Sequence, residues 1–157
     1  MSLGEGALVT AGDPRLWGQP QDSQDARWYR QLYCIRRFEE RLLEMFEEGL
    51  LRGTTHCCIG QEANALGVVE HLQDGDHIFS HHRGHGHYLA WTGDVFGLLA
   101  EIMGKPEGVV GGIGGSQHVC APGFASNGVL GGTLPAAAGI AWQRQLTGSG
   151  ISCVFVG

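Results

Sequence analysis

The segment ISCVFV, Ile151 to Val156, is a run of β-branched and apolar side chains near the end of a 157-residue sequence. Such a run suits a strand buried on both faces, as in a parallel sheet covered by helices. Just upstream, Thr133 and Pro135 open a helix over PAAAGIAWQRQL (135–146), and Gly148 ends it. A second strand candidate, HIFS (His77 to Ser80), follows the turn signal Asp74-Gly75. Three more helices are expected. The first starts at the caps Asp22 and Ser23 and closes near Gly49, with Trp28, Leu32, Ile35, Phe38, Leu42 and Met45 recurring every three or four residues. QEANALGVVEHL (61–72) is the second, and VFGLLAEIM (95–103), capped by Asp94, is the third. Helix, glycine, buried strand and glycine together are the grammar of an α/β fold with a parallel sheet flanked by helices. In open sheets of this kind ligands sit beyond the carboxyl ends of the strands. The loop following 151–156 would begin at Gly157, where the sequence stops.

Composition narrows the function. Apolar residues make up 43%, enough for one domain with a hydrophobic core. Ten Lys and Arg stand against sixteen Asp and Glu, for a net charge of −6, which argues against a nucleic-acid partner. No apolar run approaches the roughly 18 residues of a membrane span. The start, MSLGEGALVTAGDP, lacks the pattern of a signal peptide. Residues 1–21 are expected to form a flexible tail and 22–157 one domain, with no repeat or linker dividing it. The five cysteines, Cys34, Cys57, Cys58, Cys120 and Cys153, fit no disulfide framework, and a reducing cytoplasm is the simplest setting.

Two segments carry candidate chemistry. GVVGGIGGSQH (108–118) is glycine-rich, and such loops let backbone N–H groups approach a ligand. It has no Lys-Ser or Lys-Thr pair after the glycines, so a nucleoside-triphosphate site of the Walker type is excluded. SHHRGHGH (80–87) holds four histidines and one arginine. It reads as a metal site, as an anion-facing wall or as a solvated loop. Arg83 would repel a cation, and His81 and His82 would point to opposite faces if the strand HIFS continued. His56, in the loop RGTTHCCIG, is a lone histidine preceding Gln61 and Glu62, whose polar groups could face a site.

Six motifs occur in order: HxxxGQEA from His56, HRGHGH from His82, AEIMGKPEG from Ala100, GGIGGSQH from Gly111, NGVLGG from Asn127 and PAAAGIA from Pro135. This series resembles the α chain of thiamine-diphosphate-dependent 2-oxo acid and acetoin dehydrogenases, the decarboxylating component, from about Phe38 to Gly157. The HRGHGH form is closer to the acetoin-type branch than to the pyruvate-type branch, which has tyrosine in place of His82. The resemblance implies an incomplete thiamine-diphosphate-binding fold, with 22–157 as its N-terminal portion. It implies that His82 and Arg83 hold the cofactor's diphosphate, a role suited to imidazole and guanidinium donors. Ala121, Gly128 and Leu130 fall where the family receives the aminopyrimidine ring. One residue fewer separates Ala121 from Gly128 than in pyruvate-type enzymes. His56 falls at the mouth of the site as the catalytic histidine, and His118 is expected to order the glycine loop.

Two departures accompany this. Ile113 stands where relatives usually carry lysine, in GKGGSMH. The family's magnesium ligands, an aspartate and a later asparagine, would follow Gly157, so no metal ligand is expected within the chain. The implied partners are a β-type subunit, the segment completing the α-type fold, and a lipoyl or other carrier protein. The implied activity is cleavage of a 2-oxo acid or acetoin with transfer of the two-carbon unit. Ile113 keeps open a transketolase-like ketol transfer to a carrier. A non-catalytic structural partner is the reading from a different class.

Overall fold

A computed structural model describes residues 21–157. The expected tail, residues 1–21, lies outside the described residues except for Gln21. The element order is α1 (Gln24–Glu47), α2 (Glu62–Val69), β1 (His77–Ser80), α3 (His85–Thr92), α4 (Val95–Ile102), β2 (Cys120–Ala121), β3 (Phe124–Ser126), α5 (Leu134–Thr147) and β4 (Ser152–Val154). Among the described residues the strands form one sheet in the order β2-β3-β1-β4. The first strand is central and pairs in parallel on both sides, Ile78 opposite Phe124 and Cys153. The short β2 adds an antiparallel rung, Ala121 opposite Phe124. The sheet is therefore mixed, parallel at its centre and antiparallel at one edge.

The long amphipathic helix forms as its periodicity predicts. Ser23 caps it, its hydroxyl accepting the Ala26 N–H at 3.2 Å. Its stripe of Ile35, Phe38, Leu42 and Met45 is buried, and charged residues cover the other face. The core joins this stripe to Ile78, Tyr88, Leu89, Leu98 and Phe124. Asp94 caps α4 through the Gly97 N–H at 2.8 Å. All five cysteines are free. Among the described residues no helix is long and apolar enough to cross a membrane.

Two expectations need correction. The segment 151–156 is not buried on both faces: strand structure covers only Ser152–Val154, which are half-buried, and of its neighbours only Phe155 is buried. The reason is position. This strand is the outermost in the sheet, so one edge has no neighbour among the described residues. Helix α5, which packs beside it, buries only Ala137 and leaves Trp142 69% and Leu146 77% exposed. The second correction is helix α3, which begins inside the stretch SHHRGHGH (80–87) and is not among the expected helices. Glycines bracket it, Gly84 before it and Gly93 after it, the latter at φ 69°. Its interior Gly86 is what lets it pack: a Cβ there would lie 3.0 Å from Cys58 Sγ and 3.4 Å from Ala65 Cβ and Ile35 Cγ2.

Phe124 is fully buried and meets Tyr88 edge-on, ring centroids 5.4 Å apart. Phe124→Ala should lower unfolding free energy by about 3–5 kcal/mol, the usual cost of an aromatic cavity. The measurement is the urea midpoint at unchanged slope. A loss below about 1 kcal/mol would mean that this contact is not central to the core.

Candidate functional site

Parallel pairing brings three strand ends together. The first strand runs into His81, His82 and Arg83; β3 runs into Asn127 and Gly128; β4 runs into Phe155, Val156 and Gly157. Cross-links tie these exits to one another. The Asn127 N–H donates to the Ser80 carbonyl at 3.3 Å, and the Phe155 N–H to the Phe79 carbonyl at 2.9 Å. A Cβ on Gly157 would lie 3.1 Å from the His81 ring. This is where open α/β sheets place ligands.

The loop carrying His56 closes over this end. The His56 and His82 rings meet edge-on with centroids 4.9 Å apart. Arg83 donates from Nη1 to the Cys57 carbonyl at 2.7 Å, and its backbone N–H donates to His81 Nδ1 at 3.1 Å. The His81 and His82 rings lie 5.3 Å apart. The strand stops at Ser80, so strand alternation does not carry these two side chains to opposite faces; both belong to the turn that follows. Burial, then a neighbouring imidazole and Arg83, push both imidazoles below their usual pKa. Each thus favours the neutral form, with one N–H to offer. The Nδ1 atom of His82 is buried and has no partner.

The other two histidines of the cluster face inward. His87 is buried and stacks on Phe155 with centroids 3.6 Å apart, while its Nδ1 pairs with Ser80 Oγ at 2.8 Å. Burial, then the His81 ring, depresses its pKa to about 3. His85 is also buried, paired with Glu39. Neither lines an entrance. Among the described residues no group of three or more His, Cys, Asp or Glu side chains could hold a metal.

The glycine loop holds the largest departure from expectation. Glu101, fully buried on α4, accepts four backbone N–H groups: Val110 and Gly112 on Oε2, Gly114 and Gly115 on Oε1, at 2.7–3.1 Å. Burial raises the carboxyl's pKa, but the four N–H donors outweigh it and hold it below the usual range. The loop's donors thus already grip an anion, the protein's own. Glycine is required because the backbone comes so close: a Cβ on Gly112 would lie 2.5 Å from the Lys105 carbonyl oxygen. His118 contributes only a backbone N–H to the Gly114 carbonyl at 3.2 Å, so Glu101 does the ordering assigned to it. The signal was present as one acidic residue on the buried face of VFGLLAEI.

The remaining candidates divide. Gly128 lies on the cluster's side, and a Cβ there would meet Gln117 Oε1 at 2.2 Å. Gln117 Nε2 in turn donates to Thr54 Oγ1 at 3.1 Å, on the loop that leads to His56. Leu130 follows in the same exit segment, 55% exposed. Ala121 is not brought there. It pairs with Phe124 at the amino end of β3, away from Asn127 and Gly128. Glu62, expected to face a site, instead accepts the Gly60 N–H and pairs with Arg36 at 2.6 Å.

Residues 30–157 match the family described as dehydrogenase E1 component. The chain is 43% identical over 122 residues to the α subunit of acetoin:2,6-dichlorophenolindophenol oxidoreductase from Bacillus subtilis, a match covering 75% of this chain and 37% of that protein. Its counterpart from Cupriavidus necator is 41% identical over 133 residues, covering 82% and 40%. The pyruvate dehydrogenase E1 component α subunit of Zymomonas mobilis is 39% identical over 127 residues, covering 78% and 36%. The chain thus spans about two fifths of the length of these relatives. It belongs to the dehydrogenase E1 component family.

Two predictions follow from the buried groups. Glu101→Gln keeps the shape but removes the charge that satisfies four donors. It should cost about 1.5–3 kcal/mol and speed amide exchange at Gly112, Gly114 and Gly115; unchanged exchange there would contradict the assignment. His87 takes up a proton near 6.5 when unfolded but only near 3 when folded. Its share of stability is therefore complete above pH 6.5 and is lost as pH falls towards 3, by up to about 1.4 kcal/mol per unit. Denaturation of His87→Gln across that window should show a flatter pH dependence than the parent. An identical slope would show that His87 is not the acid-sensitive group.

Proposed function

We propose that this family member is an α-type subunit, or the N-terminal portion of one, of a thiamine-diphosphate-dependent component that cleaves acetoin or a 2-oxo acid. The two-carbon unit passes to a lipoyl group on a partner protein, and a β-type subunit completes the enzyme. The observation that carries the reading is the meeting of His56, His82 and Arg83 at the carboxyl end of the sheet, with His82 Nδ1 buried and unpartnered.

These residues fit the group. The diphosphate is an anion, and Arg83 offers a fork of donors held at the strand ends by one side-chain hydrogen bond among the described residues. His82 adds an imidazole N–H. Gly128 lets the chain pass close against the Gln117 side chain, and with the Leu130 backbone it supports the aminopyrimidine ring in this reading. Ala121 would have to act from the other end of β3, so it is the weakest member of the implied set. Thiamine diphosphate, when bound, supplies a nucleophilic thiazolium carbon and a ring that takes up the electrons of a breaking carbon–carbon bond.

The chain's own residues then have distinct tasks. Arg83 and His82 bind and orient the diphosphate. His56, edge-on to His82, hydrogen-bonds the substrate or moves a proton at its ring nitrogen. His82 in place of tyrosine supports the acetoin-type branch. The magnesium that accompanies the diphosphate needs hard oxygen ligands; in this reading they come from outside residues 21–157. In this reading the enzyme is a hetero-oligomer in a reducing, cytoplasmic setting.

The test is calorimetric binding of thiamine diphosphate with magnesium to the chain assembled with its β-type partner and the segment completing the α-type fold. Arg83→Ala should weaken binding by roughly 1.5–3 kcal/mol, and His56→Ala should lower kcat far more than affinity. Unchanged affinity in Arg83→Ala would remove Arg83 from the site, and the reverse pattern at His56 would move it into the cofactor's contacts.

A further inference from the structure

We infer that the buried Glu39–His85 pair is a positioning device that holds the His56 loop, Arg83 and the Gln117–Gly128 contact in one arrangement. The inference rests on the proposed cofactor site. Glu39 is fully buried on α1. Its Oε1 accepts from the Cys58 backbone N–H at 3.3 Å, from the Cys58 thiol at 3.0 Å and from His85 Nδ1 at 2.9 Å. Cys58 is two residues from His56, and its neighbour Cys57 holds Arg83 through its carbonyl. His85 opens α3 two residues after Arg83.

The other ring nitrogen reaches the glycine loop. His85 Nε2 lies 3.1 Å from the Ser116 carbonyl and 2.9 Å from its hydroxyl. Ser116 precedes Gln117, whose side chain reaches Thr54 and borders Gly128. One pair therefore ties together every segment that presents a proposed cofactor contact, except Leu130 and Ala121.

The order Glu39, His85, Ser116 is that of a hydrolase triad, but the geometry points elsewhere. The His85 Nδ1 faces the Glu39 carboxylate and its Nε2 faces both the carbonyl and the hydroxyl of Ser116, so the ring links α1 to the glycine loop and is not held for the hydroxyl alone. Stability alone does not account for the pair either. A buried ion pair adds little over apolar residues of similar volume, and here Glu39 Oε2 stays buried without a partner, which is a cost. What the pair supplies is a unique geometry: hydrogen bonds that fix three segments at once. Neither residue touches the cofactor in this reading, so both act through others.

The test uses the assembled complex with two variants, Glu39→Gln and the apolar double variant Glu39→Met/His85→Leu. Readouts are the Kd for thiamine diphosphate with magnesium, the Tm, and amide exchange at Ser116–His118 without cofactor. Glu39→Gln should raise Kd about ten- to hundredfold, the range seen when a supporting partner behind a binding group is lost, and should speed exchange at Ser116–His118. The double variant should keep a parental Tm with Kd still raised. Recovery of Kd along with Tm, or an unchanged Kd in Glu39→Gln, would overturn the inference. If Glu39→Gln fails to fold, the double variant decides. If the parent complex binds no thiamine diphosphate, the functional reading fails, and the exchange at Ser116–His118 still decides whether the pair holds the loop.

Discussion

A carboxylate taken out of water must recover its lost hydrogen bonds from the protein, and two fully buried glutamates impose that condition on this fold. Glu101 meets it by gathering four backbone N–H groups from the glycine loop. Glu39 meets it on Oε1 alone, with the Cys58 backbone, the Cys58 thiol and the His85 imidazole. Both sit on helices, α4 and α1, whose apolar faces are anchored in the core. The loops have few apolar side chains of their own. They take their shape from these carboxylates, and the strand-end cluster takes its shape from the loops.

This arrangement changes what the glycine-rich segment means. Five glycines in eight residues suggest a cradle for an external anion. The cradle exists, but its occupant is Glu101. The external anion of the proposed function is left to side chains at the end of β1, where Arg83 and His82 stand on a rigid strand exit. The two anion-binding modes, backbone donors for an internal carboxylate and side-chain donors for a ligand, are physically separate.

Local signals explain what could be read from the sequence. The long helix, HIFS, the Asp94 cap and the α5 boundaries were legible because periodicity, capping and glycine stops act over a few residues. Helix α3 was not, because HGHYLAWT has no apolar period and its packing depends on Gly86 meeting Cys58, Ala65 and Ile35 across the chain. The position of His81 and His82 depended on where the strand stops, a one-residue matter that propensity does not resolve. The pairing of Glu39 with His85 spans 46 residues and has no local signature. The convergence of His56, His82 and Arg83 was suggested by family resemblance. Composition alone left metal, anion and solvent open for the histidine cluster.

The central claim is that the end of the first strand, and not the glycine loop, receives the diphosphate. A crystal structure of the assembled complex soaked with thiamine diphosphate and magnesium tests it most directly. The account predicts diphosphate oxygens within hydrogen-bonding distance of Arg83 and His82, with Glu101 still holding Val110, Gly112, Gly114 and Gly115. Diphosphate seated on those four N–H groups, with Glu101 displaced, would contradict it.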